Sequence, residues 1–545
     1  MPIKTGWVDP PTAIGGLDHL GTQAPCILVY SQLLPGITNV TDRARYYSFY
    51  PWVIWSLERR FPKADYASFV ERYRRADCLF TLIAERHARE TDKDGERHGV
   101  AMVGRIKLTA ALTALEGGTR LLLSRFTAQD SDTRYFKNPL GGLGQYYAGI
   151  LTDLAILDSR SSKWINYSKE RGRPIAESFD KAVDGDLFWR TCEGDAVTLK
   201  ALDRLATFCP CYLTKSPREH QHLQTLFFSR PPYDEGDGPQ RRSSLAMLLH
   251  LTEALRQFCP GEDLSQNVFR GGIYSGHLPT KIPWTLPPSL GKTRSLWAIY
   301  ERGDLLSIAF QGQLGAALSA MELTDERFKT VEAFVRHYMS TETVRDYLIE
   351  GQGRTFGQSL EEFIRTGPAL NDWQHADHEI QAADRIVERF GDKTFPKSEL
   401  IAASTGCLVA LAARDQTEPW DYNSVGWTDD VLADYPVNLV SFRRRVTAWL
   451  ARPMGEVLAE VVQWALETHL RVALRKLRQT GQSSFRFRPT ELGFEVVDVV
   501  PSPAHTIPRF NQAAQILRDI GMLNRKQGLT GLSALGRQQL ESLRA

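Results

Sequence analysis

The sequence predicts a mainly α-helical protein of several domains, an irregular helical bundle that ends in a small C-terminal α+β module. Three observations support this fold class. A chain of 545 residues is too long for one compact core. Its 42% of hydrophobic and 24% of charged residues are ordinary for a globular protein. Apolar residues recur at spacings of three and four along most of the chain, whereas strand patterns are scarce.

Changes in this pattern divide the chain into segments. The first forty residues are rich in Gly and Pro, and Thr41 then stands as a helix N-cap before an aromatic stretch. The run of Pro, Gly and acidic residues over 229–239 is the clearest surface loop. The predicted segments are an extended arm over 1–40, an N-terminal helical domain over 41–228, a middle helical domain over 240–395, a helical connector over 396–480 and the C-terminal module over 481–545.

Helical periodicity then predicts the elements in order. A helix follows Thr41, and Pro51 is expected to kink or divide it. The alternation of 484–488, followed by 494–500, predicts a pair of strands. Further helices are expected at about 64–90, 99–116, 143–158, 196–207, 217–228, 242–258, 293–320, 324–338, 341–349, 357–366, 374–389, 397–413 and 437–479, the last one interrupted near Pro453.

Charge and cysteine content narrow the function classes. The chain has 66 Lys plus Arg against 64 Asp plus Glu, so attraction to nucleic acid has to come from local patches. Seven cysteines, an odd number and mostly far apart, predict reduced thiols and not a disulfide scaffold. The N-terminus has no signal-peptide pattern, and the apolar run 400–413 is shorter than the roughly 18 residues of a membrane span. We therefore expect a cytoplasmic protein without a membrane partner.

The C-terminal segment carries the most specific pattern. A helix over 508–520 precedes Gly521, a short basic Gly-containing hairpin over 525–528, and a closing helix over 533–540. This order resembles the second half of bacterial winged-helix domains, over roughly the last forty to sixty residues. The resemblance implies DNA contact, with a helix in the major groove and basic wing residues on phosphates. The candidate nucleic-acid-binding residues are Arg471, Arg475, Lys476, Arg478, Arg486, Arg488, Arg509, Arg518, Arg525 and Lys526.

Two alternatives to this interpretation stay open. Many winged-helix modules dock proteins or pack inside a larger fold, so the fold by itself does not establish DNA binding. Alternation places Arg486 and Arg488 on one face of their strand and Phe485 and Phe487 on the other. The arginine face is either a phosphate-binding ridge or the solvated face of an edge strand.

The aromatic stretch 46–55 also has two interpretations. Tyr, Trp and Arg dominate interaction hot spots, and aromatic rings beside arginines can stack unpaired bases. At helical spacing the same residues also fit a domain core. The candidate interaction residues are Arg43, Arg45, Tyr46, Tyr47 and Trp52.

One cluster has the residue types of a metal site. A Cys-Pro-Cys segment and a His-Gln-His segment lie within fourteen residues of each other, and thiolate and imidazole are zinc ligands. Two ligands separated by one residue on a helix point to different sides, and neither segment has a common zinc-ligand spacing. We therefore expect no metal or other cofactor here, and the candidate ligands are Cys209, Cys211, His220 and His222.

No catalytic signature is present. Residues 288–293 end like a phosphate-binding loop, but Leu286 stands where the loop needs its first glycine. The segment 16–21 and the run YSQLLPGITNVTDRARYYSFYPW over 30–52 resemble uncharacterised bacterial proteins encoded beside restriction and anti-phage genes. That resemblance implies one component of a multi-protein defence system, with catalysis in a partner.

Three hypotheses about function follow. The leading one is a noncatalytic adaptor or sensor subunit that binds partner proteins and, through the winged-helix-like module, DNA. The second is a pure protein-interaction scaffold. The third is a cryptic metal-dependent hydrolase built on the Cys and His cluster.

Overall fold

The computed structural model confirms a mainly α-helical fold. The structure describes residues 18–62, 64–91, 102–128, 130–158, 165–350, 357–367, 371–392, 394–497 and 502–544. The helices of the first half are α1 Gln23–Leu33, α2 Tyr46–Arg60, α3 Tyr66–Thr91, α4 Arg105–Glu116, α5 Leu123–Thr127, α6 Ala148–Asp153, α7 Gly172–Asp180, α8 Gly185–Glu193, α9 Leu199–Arg204, α10 Pro217–Phe227 and α11 Gly238–Phe258.

The second half is helical as well. Over the described residues of both halves, short 3₁₀ turns lie at Ala206–Phe208, Pro210–Lys215, Pro279–Lys281 and Tyr422–Val425, and a π-helical turn lies at Leu143–Tyr147. Its helices are α12 Gln266–Ser275, α13 Pro288–Leu323, α14 Val331–Ser340, α15 Glu342–Glu350, α16 Leu360–Arg365, α17 Glu379–Arg389, α18 Lys397–Thr417, α19 Asp429–Leu432, α20 Leu439–Trp449, α21 Met454–Thr480, α22 Phe510–Asp519 and α23 Ala534–Arg544.

The strands are short and form antiparallel pairs. Leu121 is opposite Val197, Leu157 opposite Tyr167, Phe487 opposite Val496 and Leu523 opposite Leu532. The strands are β1 Leu121–Leu122, β2 Leu157–Asp158, β3 Asn166–Tyr167, β4 Ala196–Val197, β5 Phe487–Pro489, β6 Phe494–Val496, β7 Leu523–Lys526 and β8 Leu529–Leu532.

The chain divides into two compact units, each made of two separate stretches. Unit 1 comprises 1–30 and 257–508, and unit 2 comprises 31–256 and 509–545. This division differs from the five predicted segments. The predicted module 481–545 is divided, because β5 and β6 belong to unit 1 whereas α22, β7, β8 and α23 belong to unit 2.

The core of unit 1 surrounds the long helix α13. On α13, Gly312 and Gly315 leave room for Ser404 of α18 and Phe390 after α17, because a Cβ at either glycine would lie close to those side chains. Gln313 is fully buried, and its side-chain amide donates to the hydroxyl of Thr405 at 3.0 Å. Helix α18 therefore packs one face against α13.

The core of unit 2 is aromatic. Every residue from Tyr46 to Leu57 on α2 is buried. The ring of Phe49 stacks on Phe80 of α3 with centroids 3.9 Å apart, and Trp52 meets Phe208 edge-on. Such aromatic packing buries large apolar areas in specific geometries.

The structure corrects the predictions for the extended arm over 1–40, for the helix cap at Thr41 and for a division of the helix at Pro51. Residues 23–33, inside the predicted extended arm, form α1, and 1–17 lie outside the described residues. Thr41 does not cap α2, which begins at Tyr46; its hydroxyl accepts the Thr38 N–H at 2.7 Å instead. Pro51 does not divide α2. Burial of the surrounding turns holds the helix together despite the backbone hydrogen bond that proline removes.

The predicted helices 143–158 and 196–207 are shorter than expected. The first is a π-helical turn followed by α6, and its end forms β2. The second begins as strand β4 and becomes helical at Leu199. The predicted break near Pro453 is confirmed, since α20 ends at Trp449 and α21 begins at Met454.

Candidate functional site

A large groove in unit 1 is lined by residues of several helices. It has a volume of about 1040 Å³ and lies among α16, α17, α18 and the end of α12. Ligand sites are usually concave and mostly apolar with a few placed polar groups, and they span roughly 300–1,000 Å³. The groove is therefore the candidate functional site.

Helix α18 makes the floor of the groove from small residues. Its groove-facing positions recur at helical spacing, so they share one side of the helix. The opposite side is held by unit 1's core, where the Cys407 thiol contacts the Leu305 carbonyl oxygen at 3.7 Å. The small floor residues are Ala402, Ala403, Gly406, Ala410 and Ala413.

Arg414 lines the groove and belongs to a buried charged cluster. The Arg414 guanidinium pairs with the Glu379 carboxylate and donates to His378 Nε2 at 2.7 Å. It also lies 4.3 Å from the centroid of the Tyr274 ring. Burial opposes the ionisation of Glu379, but the charge of Arg414 and its hydrogen bond outweigh burial and lower the pKa of this carboxyl group. The cluster fixes Arg414 in place at the groove wall.

The rim of the groove carries both signs of charge. The charged lining residues include Arg365 and Arg385 as well as Asp377, Glu399 and Glu418. Arg385 is held by a hydrogen bond that its guanidinium donates to the Ala376 carbonyl oxygen at 2.7 Å. A ligand that complements this rim has both cationic and anionic or hydrogen-bonding groups.

The predicted nucleic-acid residues of unit 1 have different environments. Arg471, Arg478 and Arg488 are exposed, and Arg488 lies 3.8 Å from Glu495. Arg475 pairs with Asp434 at 2.7 Å. The remaining two are turned toward the protein: the Lys476 ammonium is buried and donates to the Asp18 carbonyl oxygen at 2.7 Å, and Arg486 is half-buried beside His19.

The predicted nucleic-acid residues of unit 2 fall into two pairs. Arg509 and Arg518 are half-buried, and Arg509 donates to the Ser31 hydroxyl at 2.9 Å. Arg525 and Lys526 are exposed at the end of β7. Six of the ten predicted residues therefore lie in unit 1 and four in unit 2. The two exposed residues of unit 2, Arg525 and Lys526, lie on the hairpin of β7 and β8.

The predicted interaction residues are core residues. The ring side chains of Tyr46, Tyr47 and Trp52 are buried inside unit 2. Arg43 pairs in a bidentate manner with Asp519 at 3.0 Å, and Arg45 pairs with Glu219 at 2.9 Å. A docking surface has to be exposed, so the interpretation of these five residues as an interaction site is wrong and the core interpretation holds.

The four predicted metal ligands do not lie together in one cluster. His220 Nε2 lies 2.8 Å from the Ile520 carbonyl oxygen, which fixes that ring against the segment after α22. Cys209 and Cys211 instead lie beside His87 of α3. Burial raises the pKa of the Cys209 thiol, and a hydrogen bond with Cys211 adds to this shift. The sequence could not show His87 as a neighbour, because more than a hundred residues separate it from the two cysteines.

Sequence reasoning also missed a half-buried histidine in unit 1. His505 Nδ1 lies 2.6 Å from Asp304 Oδ2, and its Nε2 lies 3.0 Å from Asp384 Oδ1. Arg270 pairs with Asp384 at 2.7 Å and with Glu301 at 2.8 Å. No local motif marks these residues, since they come from four separate segments of the chain.

Three comparisons with known proteins found no match for this chain. A scan against models of protein families returned no match, and neither did searches of curated proteins and of solved structures. Among the described residues, no helix combines the length and the apolar character that crossing a bilayer requires. The fold itself defines a mainly α-helical, multi-helix protein.

Proposed function

We propose that this protein is a noncatalytic adaptor subunit whose groove in unit 1 receives a polypeptide segment of a partner protein. The groove is the observation that carries the proposal. Its volume of about 1040 Å³ lies at the upper end of the range for small-molecule sites, so it accommodates several residues of a peptide.

The chemistry of the walls favours a polypeptide over a small molecule. Ala402, Ala403 and Gly406 present almost no side chain, so a backbone can approach α18 closely. The guanidinium and carboxylate groups of the rim complement a segment that carries both charge signs. Amphipathic segments laid into a groove between helices are a recurrent mode of peptide recognition.

A partner protein that binds in the groove through one of its segments agrees with the adaptor hypothesis drawn from the sequence. The resemblance of this chain to proteins encoded beside restriction and anti-phage genes supports a partner from the same multi-protein defence system. Catalysis would then belong to the partner, in keeping with the absence of an enzyme signature in the sequence.

A phage-displayed library of random peptides tests the groove directly. The purified full chain is the bait, and a Gly406→Trp variant is the counter-selection bait. A Cβ at Gly406 meets no other heavy atom within 4 Å, so the indole enters the groove without displacing the backbone. Gly391→Trp is the matched control, because this exposed glycine is equally open and does not line the groove.

We expect selected peptides to bind the full chain and the Gly391→Trp variant with similar Kd in fluorescence anisotropy. Gly406→Trp should weaken the same binding at least about tenfold. Its Tm should not fall below that of the parent chain, since Gly406 lies within α18 and Trp has a higher helix propensity than Gly. No enriched peptide, or peptides that bind Gly406→Trp as tightly as the parent, would refute the groove as the binding site.

One further observation supports a second function, contact with nucleic acid. Arg525 and Lys526 are exposed on β7 beside the tight turn at Gln527 and Gly528, which both have positive φ. A hairpin that holds two cations at its end matches the phosphate-contacting wing that the winged-helix resemblance implies. Fluorescence anisotropy with duplex DNA across a salt series tests this function, and steep weakening with salt supports it.

A further inference from the structure

Three side chains with soft or borderline donor atoms meet in unit 2. His87 comes from the last turns of α3 and is half-buried, Cys209 is buried, and Cys211 is half-buried at the start of a 3₁₀ turn. One donor atom from each lies within 4.8 Å of the other two. Imidazole nitrogen and thiolate sulfur are the donors that Zn²⁺ prefers.

The backbone explains how two cysteines separated by one residue can face the same point. Cys209 has φ −56° and ψ 138°, so it is extended, and Pro210 begins the 3₁₀ turn after it. The expectation that the two thiols diverge assumed a helix through both residues. The extended conformation at Cys209 instead turns both side chains toward His87.

The distance between one pair of donor atoms, which also allows a hydrogen bond between them, matches that of a tetrahedral zinc site. With Zn–S bonds of about 2.3 Å and Zn–N bonds of about 2.05 Å, tetrahedral angles place a nitrogen and a sulfur about 3.6 Å apart. Cys211 Sγ and His87 Nδ1 lie 3.5 Å apart. The two ligand atoms therefore already have the separation that the ion would impose.

A buried arginine holds the cysteine segment in this conformation. The Arg45 guanidinium donates to the carbonyl oxygens of Thr207 at 2.5 Å and Cys209 at 2.6 Å. The same guanidinium pairs with buried Glu219, so it cannot leave without exposing a charge to the apolar core. Ligands on a segment fixed in this way lose little conformational freedom when they bind an ion.

We propose that His87, Cys209 and Cys211 form a Zn²⁺ site. Three protein ligands in a tetrahedral arrangement leave the fourth position to water or to a ligand from outside the described residues. The site replaces the predicted set of Cys209, Cys211, His220 and His222.

Metal titration of the full chain tests the site. The protein is reduced, stripped with a chelator, and titrated with Zn²⁺ in competition with a chromophoric chelator. We expect one equivalent of Zn²⁺ per chain. Co²⁺ in place of Zn²⁺ should give thiolate-to-cobalt charge-transfer absorption, which reports sulfur ligands directly.

Variants distinguish the two ligand sets. Cys211→Ser and His87→Gln should each lower the Zn²⁺ affinity by roughly a hundredfold. His222→Gln is the matched control and should leave the affinity unchanged. If a variant fails to fold, the Co²⁺ spectrum of the parent chain still decides whether thiolates bind the ion.

Two results would overturn the site. One is a parent chain that binds no Zn²⁺ and shows no thiolate–cobalt absorption although all seven thiols are reduced. The other is a His87→Gln variant that keeps the parent's affinity while His222→Gln loses it.

Discussion

Arg43 and Arg45, which the sequence places just before an aromatic stretch, do not face solvent in this protein. Arg45 donates to both carboxylate oxygens of Glu219, at 3.1 and 2.9 Å, as well as to two carbonyl groups. Arg43 is likewise matched by Asp519. A buried charge persists only when it is paired and hydrogen-bonded, so these arginines stabilise a particular packing of the core.

His505 should make stability depend on pH. Burial lowers the pKa of this imidazole, but Asp304 and Asp384 outweigh burial and raise the pKa to about 9. The unfolded value is about 6.5, so the folded state binds the proton more tightly. The resulting stabilisation is fully present below about pH 6.5 and is lost as the pH rises through about 9. It amounts to an order of 3 kcal/mol.

A His505→Gln variant isolates this contribution. The free energy of unfolding, measured with urea from pH 6 to pH 10, should differ most between variant and parent at pH 6 and least at pH 10. Thiols and other groups that titrate in the same pH range contribute equally to the free energy of unfolding of variant and parent, so their contribution drops out of the difference between the two. His375→Gln, at an exposed histidine, is the control and should show no such trend. A pH-independent difference would contradict the assignment.

Individual elements of this protein have two different faces. Helix α18 contains the apolar run 400–413, and one face of this helix packs against α13. The alanine and glycine face lines the groove instead. In β5, Phe487 is buried against His469 and Arg488 is exposed, whereas Arg486 lies before the strand and is half-buried beside His19. Which face meets solvent depends on what lies opposite each element.

The hairpin of β7 and β8 should contribute to DNA binding through Arg525 and Lys526. Replacing both by Ala should weaken binding to duplex DNA and reduce the slope of log K against log salt by about 1.8, because each phosphate that a cation neutralises contributes about 0.9. Lys200→Ala with Arg204→Ala, two exposed cations on α9 outside the predicted set, is the control. An equal weakening in the control, or no binding of the parent at low salt, would count against the hairpin.

At the scale of the whole molecule, the chain leaves unit 2 after Arg256 and returns to it at Arg509. The returning segment contributes buried residues to unit 2, among them Phe510, Ile516 and Leu517 on α22. Asp519 is the carboxylate partner of buried Arg43. The C-terminal segment is therefore part of the core of unit 2, and its removal does not simply delete an independent module.

A chain truncated after Pro508 should lose stability in unit 2 selectively. Arg43 would keep a buried charge without its partner, which typically costs about 3–5 kcal/mol, and apolar residues that pack on α22 would become exposed. Hydrogen exchange followed by mass spectrometry should rise across residues 31–256 and stay near the parent level across 257–508. Unchanged exchange in 31–256 would show instead that unit 2 folds without its last stretch.

Periodicity by itself determined much of the secondary structure. Helices near 64–90, 217–228, 397–413 and 437–479, and the break at Pro453, follow from local spacing of apolar residues and from proline chemistry. The basic hairpin at 525–528 was equally visible, because its turn residues are consecutive in the chain.

The tertiary structure decided which residues meet. The pairs Arg43–Asp519 and His505–Asp304, and the cluster of His87 with Cys209 and Cys211, join residues far apart in sequence. Local propensity acts over a few residues, whereas burial and charge pairing depend on the packing of segments that the chain brings together only on folding. The sequence therefore determined most of the helices but not α1, and the packing determined the groove, the buried ion pairs and the cluster of His87 with the two cysteines.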